Sequence, residues 1–200
     1  MKPCFTAGMR YDADSIRRLC QVRRDTFEVW KKLGIVAASL LLIVLGLFMS
    51  GINPLGILMM LGGSIMLTGV NAPASALADK ILQQFKEKEF PNLQYSFSES
   101  GITTNEMTEE FPYTGIVALI EDKDYLYLFQ NRLAAFMIDR STLEGKEDAF
   151  RSFLETQTGL AFCEPFKLRS LNLQSFLQAI RLSRTAKSRN KESFPGGRLR

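Results

Sequence analysis

Histidine is absent from this sequence of 200 residues, which has only three cysteines and one tryptophan. The absence of histidine removes the most common general base, the most common zinc ligand and the base of Ser-His and Cys-His nucleophile pairs. The cysteines, Cys4, Cys20 and Cys163, are odd in number and lack Cys-x-x-Cys spacing. A disulfide framework and a zinc site are therefore not expected.

Charged residues are missing from a continuous stretch of 46 residues between Leu33 and Ala78. A bilayer core of about 30 Å needs about 20 apolar residues per helix, so this length predicts two membrane-spanning helices joined by a turn. We place the spans at about 33–51 and 55–72, with the turn at Asn53-Pro54. One alternative is a buried helical hairpin, but such helices normally have a polar stripe, which is nearly absent here. The other is a signal peptide, but its apolar core begins near the N-terminus, whereas this stretch follows 32 residues.

The net charge differs among the segments around this apolar stretch. Residues 1–32 carry +4, residues 71–166 carry −8, and residues 167–200 carry +8. Basic residues flank the predicted hairpin of residues 33–72, and the turn inside it has none, so the positive-inside rule places both flanks in the cytoplasm. We therefore predict a multi-pass protein of the cell membrane with both termini cytoplasmic.

Small residues repeat at a spacing of seven in both predicted spans. A spacing of seven returns to nearly the same face of a helix. The pairs either form a contact between the helices or reflect the general glycine content of membrane helices. They are Ser39 with Gly46, Gly56 with Gly63, and Gly62 with Gly69.

The flanking segments favour helices next to the membrane. In the N-terminal segment, residues 1–32, Asp12 or Asp14 can cap a juxtamembrane helix, and Trp30 has the position of an interfacial anchor. Residues 73–92 predict a connecting helix. Residues 161–200 predict a short amphipathic helix followed by a basic, disordered tail.

Between these segments the periodicity changes to the alternation that is typical of strands. Four or five short strands, with turns at Ser100-Gly101, Asp122–Asp124 and Asn131-Arg132, predict an antiparallel meander in which the last strand begins at Leu133. A helix that ends at Gly159 follows and would cover the apolar face of the sheet. We treat residues 93–160 as one β domain.

Several short motifs follow the predicted hairpin in a recognisable order: Phe97–Ile102 (FSESGI), Tyr113, Ile120–Leu128 (IEDKDYLYL), Phe136–Arg140 (FMIDR) and Phe150–Leu154 (FRSFL). In this order they resemble the YcxB-like family of bacterial membrane proteins. The resemblance implies a cytoplasmic, pleckstrin-homology-like β half-barrel, capped by a helix and attached to a transmembrane hairpin, and it implies no known reaction.

Acidic clusters are the strongest candidates for chemistry in the predicted domain. Glu106, Glu109 and Glu110 lack a convergent partner, and the carboxylates of Glu121–Asp124 fit a hairpin turn better than a cation site. Neither of the common glycine-rich phosphate-binding motifs is present. We therefore expect no catalytic residue, no metal and no cofactor.

The sequence favours a non-enzymatic membrane protein whose β domain binds a protein, a peptide or lipid headgroups, either alone or within a homo-oligomer. The alternative is a subunit of a membrane enzyme or transporter complex whose active site lies largely on another chain, with Glu109, Glu110 and Arg132 as its pocket. Anionic headgroups are the expected partner and nucleic acid is not, although the tail could also serve topology alone. The candidate headgroup contacts are Arg23, Arg24, Lys31, Lys32, Arg181, Arg184, Lys187 and Arg189.

Overall fold

The computed structural model describes residues 3–49, 54–85 and 89–166 of the chain. Within these ranges the protein has five α-helices and eight β-strands, and the strands form two sheets of four. The separation of helices from mainly antiparallel sheets confirms the predicted α+β class. Four of the helices lie between the first and the second strand of the chain.

The first sheet joins an N-terminal strand to three strands from beyond the apolar stretch. Its strands, in order and all antiparallel, are β1 (Phe5–Arg10), β2 (Asn92–Phe97), β3 (Gly101–Thr104) and β4 (Phe111–Pro112). The pairing of β1 with β2 runs from Phe5 opposite Phe97 to Arg10 opposite Asn92. The N-terminal segment therefore supplies a strand to the β domain, which the boundary at residue 93 did not anticipate.

The second sheet contains two of the predicted hairpins. In sheet order its strands are β7 (Ala135–Asp139), β6 (Tyr125–Phe129), β5 (Ala118–Glu121) and β8 (Phe162–Cys163). Within this sheet, β8 runs parallel to its neighbour and the other pairs are antiparallel. The amide of Gly8 in β1 donates to the hydroxyl of Thr142 (3.0 Å), just beyond β7, so the two sheets meet at these edges.

Helix α5 (Glu147–Thr158) closes the space between the two sheets. The ring of Phe150 lies edge-on to Phe97 of β2, with centroids 4.8 Å apart, and 5.4 Å from the ring of Phe5 in β1. Phe150 and Leu154 are fully buried. Gly159 ends the helix in the left-handed conformation (φ 65°), as its position predicted.

The FSESGI stretch forms the tight turn between β2 and β3. The amide of Gly101 donates to the Ser98 hydroxyl (3.1 Å), and the Tyr113 hydroxyl donates to the carbonyl of Ser98 (2.8 Å). A Cβ atom on Gly101 would lie 2.5 Å from the carbonyl oxygen of Phe111, so only glycine fits there. The residues of this motif therefore hold a tight turn together.

The apolar stretch forms three helices that are inserted between β1 and β2. They are α2 (Val29–Met49), α3 (Pro54–Thr68) and α4 (Ala72–Gln84). Helix α2 is long and apolar enough to cross a bilayer by itself. Helices α3 and α4 reach that length only together, with a bend of 47° at the 3₁₀ turn Gly69–Asn71. Most of the predicted turn between α2 and α3, residues 50–53, lies outside the described residues.

Glycine and serine form the contact between α2 and α3. A Cβ atom on Gly46 would lie 2.7 Å from the carbonyl oxygen of Gly56, and one on Gly63 would lie 2.7 Å from that of Ser39. Two of the three spaced pairs therefore let the antiparallel backbones approach closely. At Gly62 and Gly69, the third pair, an added Cβ atom would meet no described atom within 4 Å, so this pair takes no part in the contact.

Helix α1 (Ala13–Phe27) leads from β1 to the start of α2. Asp12 is its cap, because its carboxylate accepts from the amide of Ser15 (2.7 Å) while the Ser15 hydroxyl accepts from the amide of Asp12 (2.8 Å). Ile16 and Cys20 pack against Ala78 of α4. Helices α1 and α4 therefore form a second pair that continues from the pair of α2 and α3.

The α2–α3 contact predicts opposite effects for two neighbouring glycines. Gly63→Ala forces the helices apart and should destabilise the protein by about 1–3 kcal/mol. Gly62→Ala faces open space and should stabilise the helix by up to about 1 kcal/mol, because alanine has the higher helix propensity. Thermal unfolding of both variants in detergent measures the difference. Equal shifts would contradict the close contact at Gly63.

The Asp12 cap predicts a dependence of stability on acid pH. Hydrogen bonds from Ser15 lower the pKa of Asp12 below its ordinary value of 3.8. The stabilisation is therefore complete above that ordinary pKa and is lost as the pH falls through the lower, folded-state pKa. Asp12→Asn keeps a good cap but cannot titrate. Its midpoint of thermal unfolding should match that of the wild type at pH 7 and fall less in acid; parallel curves would refute this.

Candidate lipid-headgroup interface

Helix α1 holds the β domain against the apolar helices. Near its N-terminal end, the guanidinium of Arg18 donates to Asp122 (2.9 Å) and Asp124 (2.5 Å) in the β5–β6 turn. At its C-terminal end, the ring of Phe27 lies edge-on to Phe129, the last residue of β6, at 5.0 Å. Helix α1 therefore runs along β6 and places the end of that strand close to the start of α2.

The carboxylates of the β5–β6 turn are occupied by partners within the protein. Asp122 accepts from the amides of Asp124 (3.0 Å) and Tyr125 (2.9 Å), and it also accepts from the Tyr127 hydroxyl (2.8 Å). Burial, followed by the charge of Asp122, raises the pKa of Tyr127. Burial lowers the pKa of Arg18, but the charge of Asp122 and the hydrogen bond to Asp124 outweigh this effect and raise the pKa above its ordinary value.

These interactions make the Glu121–Asp124 stretch a structural turn. In the parts of the chain that the structure describes, no group of three or more acidic or cysteine side chains has an arrangement that could hold a metal ion. Because Asp122 and Asp124 bind Arg18 of α1, this turn holds α1 on the sheet.

Of the four predicted headgroup contacts within the described residues, Lys31 is exposed and Arg23 is partly buried. The Nε of Arg23 donates to the carbonyl of Arg132 in the β6–β7 turn (2.6 Å). Arg23 and Lys31 both lie near Glu28, at 3.9 and 3.8 Å. The side chain of Lys31 is 75% exposed, so its ion pair with Glu28 is weak and leaves the ammonium accessible.

Lys32 and Arg24 are buried, contrary to their prediction as headgroup contacts. Lys32 forms an ion pair with Asp25 (2.8 Å), and both side chains are at least nine-tenths buried. Arg24 is only 6% exposed, and its Nε and Nη1 have no hydrogen-bond partner among the described residues. Lys31 is exposed and Lys32 is buried because adjacent residues of a helix point about 100° apart and so lie on different faces.

Phe166, the last residue that the structure describes, lies beside the start of α2. Phe166 is buried against Val29 and Leu33. The four remaining predicted contacts, Arg181, Arg184, Lys187 and Arg189, lie outside the described residues. Phe166 therefore lies at the base of the apolar helix.

The β6–β7 turn is the part of this interface that sequence reasoning missed. The alternating pattern assigned Leu133 to a strand, but β7 begins at Ala135 and the side chain of Leu133 is 78% exposed. Nothing in the local sequence shows that this turn meets Arg23 of α1, since the two segments are more than a hundred residues apart. A leucine directly after the turn signal Asn131-Arg132 was the one available clue.

The acidic residues of the alternative pocket lie in another part of the fold. The Ser98 and Ser100 hydroxyls donate to Glu110 (2.5 and 2.8 Å), and these bonds lower its pKa. Glu110 and Glu109 precede β4 in the first sheet, whereas Arg132 lies in the second sheet beside α1. The geometry therefore gives no support to a common pocket of these three residues.

The buried pair predicts different outcomes for two adjacent lysines. Lys32→Met removes an ion partner of buried Asp25 and should destabilise the protein by about 3 kcal/mol. Lys31→Met removes a surface pair and should change the free energy of unfolding by less than about 1 kcal/mol. Thermal unfolding in detergent compares the two. Similar losses of stability in the two variants would show that the buried pair of Lys32 with Asp25 stabilises the protein no more than the surface pair of Lys31 with Glu28.

The comparisons with known proteins concern the middle of the β domain. Residues 97–154 match the model of the YcxB-like protein family, a range that runs from the end of β2 to α5. No match is found among curated proteins or among solved structures. The matched range includes the FSESGI turn, the two hairpins of the second sheet and most of the closing helix, so the similarity to the YcxB-like family covers this part of the β domain.

Proposed function

We propose that this chain is an integral membrane protein whose β domain binds anionic lipid headgroups on the cytoplasmic face of the cell membrane. In this proposal α2 crosses the bilayer, and α3 with the start of α4 returns. The β domain is a pleckstrin-homology-like half-barrel and acts as an interaction module. The alternative occupant of its membrane-side surface is a protein or peptide.

The β1–β2 pairing is the observation that carries the proposal. Because Arg10 pairs with Asn92, the inserted helices leave the sheet and return to it at adjacent positions. The amide of Tyr11 also donates to the carbonyl of Pro91 (3.2 Å). If α2 crosses a membrane, the chain must cross back before Pro91, so an even number of crossings is required. The smallest such number is two, which corresponds to a helical hairpin.

The side chains at the start of α2 support headgroup binding. Trp30 is 57% exposed and Lys31 extends beside it. An amphipathic aromatic ring with a lysine is typical of the membrane–water interface, and a basic residue near an anionic surface contributes about 1 kcal/mol. Phe166 is buried at the same place, and the basic residues 167–200 follow it in the sequence. The charge of the loops indicates that this side is cytoplasmic.

The two sheets and their closing helix support the half-barrel. The edges β1 and β7 meet, and α5 fills the space that the sheets leave open with Phe150 and Leu154. This arrangement accounts for the burial of apolar side chains from both sheets in one core. It also leaves the β6–β7 turn and α1 on the side of the apolar helices.

Trp30 is the only tryptophan and therefore a specific probe for this proposal. The full-length protein is placed in vesicles of neutral phospholipid with a trace of an anionic phospholipid that carries a dansyl headgroup. We expect energy transfer from Trp30 to dansyl, because Lys31 enriches the anionic lipid nearby. Lys31→Gln should reduce that enrichment about fivefold, which corresponds to about 1 kcal/mol for one basic residue.

Lys123→Gln is the matched control, since Lys123 is an exposed lysine of the β5–β6 turn beside Arg18 rather than beside Trp30. It removes the same charge and should leave the transfer unchanged. Equal transfer in the wild type and both variants would refute lipid-headgroup binding and leave a protein partner as the occupant. Absence of transfer even at high dansyl-lipid content would refute the membrane location.

A further inference from the structure

We propose that the β6–β7 turn, residues 131–134, is a second membrane contact, which inserts Leu133 among the phospholipid headgroups beside α2. This inference rests on the proposed function and adds a contact made by the β domain itself. It determines the orientation of the domain, because a rigid body held at α2 and at this turn cannot rotate freely above the membrane.

The position of the turn follows from its contacts with α1. Arg23 donates to the carbonyl of Arg132 (2.6 Å), and the ring of Phe27 packs against Phe129 at the end of β6. The guanidinium of Arg23 also lies 3.9 Å from the carboxylate of Glu28, the residue directly before Val29, where α2 begins. The headgroup layer extends about 5–7 Å beyond each side of the hydrocarbon core. The turn therefore lies at the outer boundary of that layer, and its projecting side chain reaches into it.

The turn is rigid and presents a leucine to solvent. The side chain of Asn131 accepts from the amides of Leu133 (2.7 Å) and Ala134 (2.9 Å), and the amide of Gln130 donates to the carbonyl of Ala134 (3.0 Å). Outside α2 and α3, Leu133 is the most exposed large apolar side chain in the described ranges, at 78%. A fixed turn loses little conformational entropy when such a side chain is buried.

The neighbouring side chains identify a lipid surface as the occupant. Trp30 and Lys31 are both exposed on the first turn of α2, within a few residues of the helix end that contacts the β6–β7 turn. Leucine, tryptophan and lysine at one depth are the composition that binds the boundary between headgroups and acyl chains. Continuity with an apolar helix that has the length of a membrane span favours lipid over a soluble protein.

The test places a fluorescent probe at three single cysteines. Leu133→Cys, Met107→Cys and Phe48→Cys are each made in full-length protein with Cys4, Cys20 and Cys163 changed to alanine. Each variant is labelled with the environment-sensitive dye NBD in detergent and then placed in phosphatidylcholine and phosphatidylglycerol vesicles. The emission maximum is recorded, and quenching is compared for lipids with a nitroxide at the headgroup or deep in the acyl chain.

The control positions bracket the expected depth. Phe48 is an exposed residue near the end of α2 and should be quenched from the acyl chains. Met107 is an exposed turn residue next to Glu106, whose charge acts on Tyr11 at the N-terminal end of α1, so it should remain in water. The probe at Leu133 should show a blue shift relative to Met107 and stronger quenching from the headgroup nitroxide.

Each outcome bears on one proposal. If Phe48 is quenched and Leu133 behaves like Met107, the turn does not contact the membrane and the membrane function is unaffected. If Phe48 is not quenched by either lipid, the proposed membrane location itself is wrong. Circular dichroism of each labelled protein confirms that the folded state is retained.

Discussion

The structure depends on one constraint, the antiparallel pairing of β1 with β2 on either side of the inserted helices. The two strands are opposed over six residues, so the chain leaves the sheet at Arg10 and re-enters it at Asn92. This pairing positions α1 and α4 side by side and keeps both ends of the apolar segment together. It also requires the helices and the sheet to form as one structure, since β1 has no partner without the return of the chain. The entropy cost of closing this long loop is met by packing within it, at Gly63 against Ser39 and at Cys20 against Ala78.

The range that matches the family model leaves out the pairing of β1 with β2, apart from Phe97. Residues 97–154 include most of the closing helix and every strand of the second sheet except β8, but they leave out β1 and most of β2. Phe5 of β1 packs on both Phe150 and Phe153 of α5, so the closing helix needs the strand that precedes the apolar helices. The matched range is thus the part of the domain whose strands and closing helix follow one another directly along the chain. The complete core also requires the N-terminal strand.

Local features were predictable from the sequence, whereas contacts between distant segments were not. The cap at Asp12, the end of α5 at Gly159 and the glycine spacing of the apolar helices depend on neighbouring residues, and each has a recognisable pattern. The place of β1 in the sheet and the parallel strand β8 depend on pairing across long stretches of sequence. β8 is two residues long, too short for alternation to be recognised. The basic residues before α2 were evident, but their division into exposed Lys31 and buried Lys32 depends on how α1 and α2 lie against the sheet.

Charge separation within the fold gives the β domain a preferred direction. Basic side chains of α1 and α5 neutralise the acidic residues of the second sheet, as Arg18 does for Asp122 and Arg151 for Glu121. The exposed acidic loop around Glu106 is near Tyr11, at the N-terminal end of α1, while exposed Lys31 lies just beyond its C-terminal end. An anionic surface attracts the end of α1 near Lys31 and repels the end near Glu106. This electrostatic preference acts at a distance, before any contact forms. In the proposed membrane topology, this field and the attachment through α2 both orient the β6–β7 turn toward the membrane.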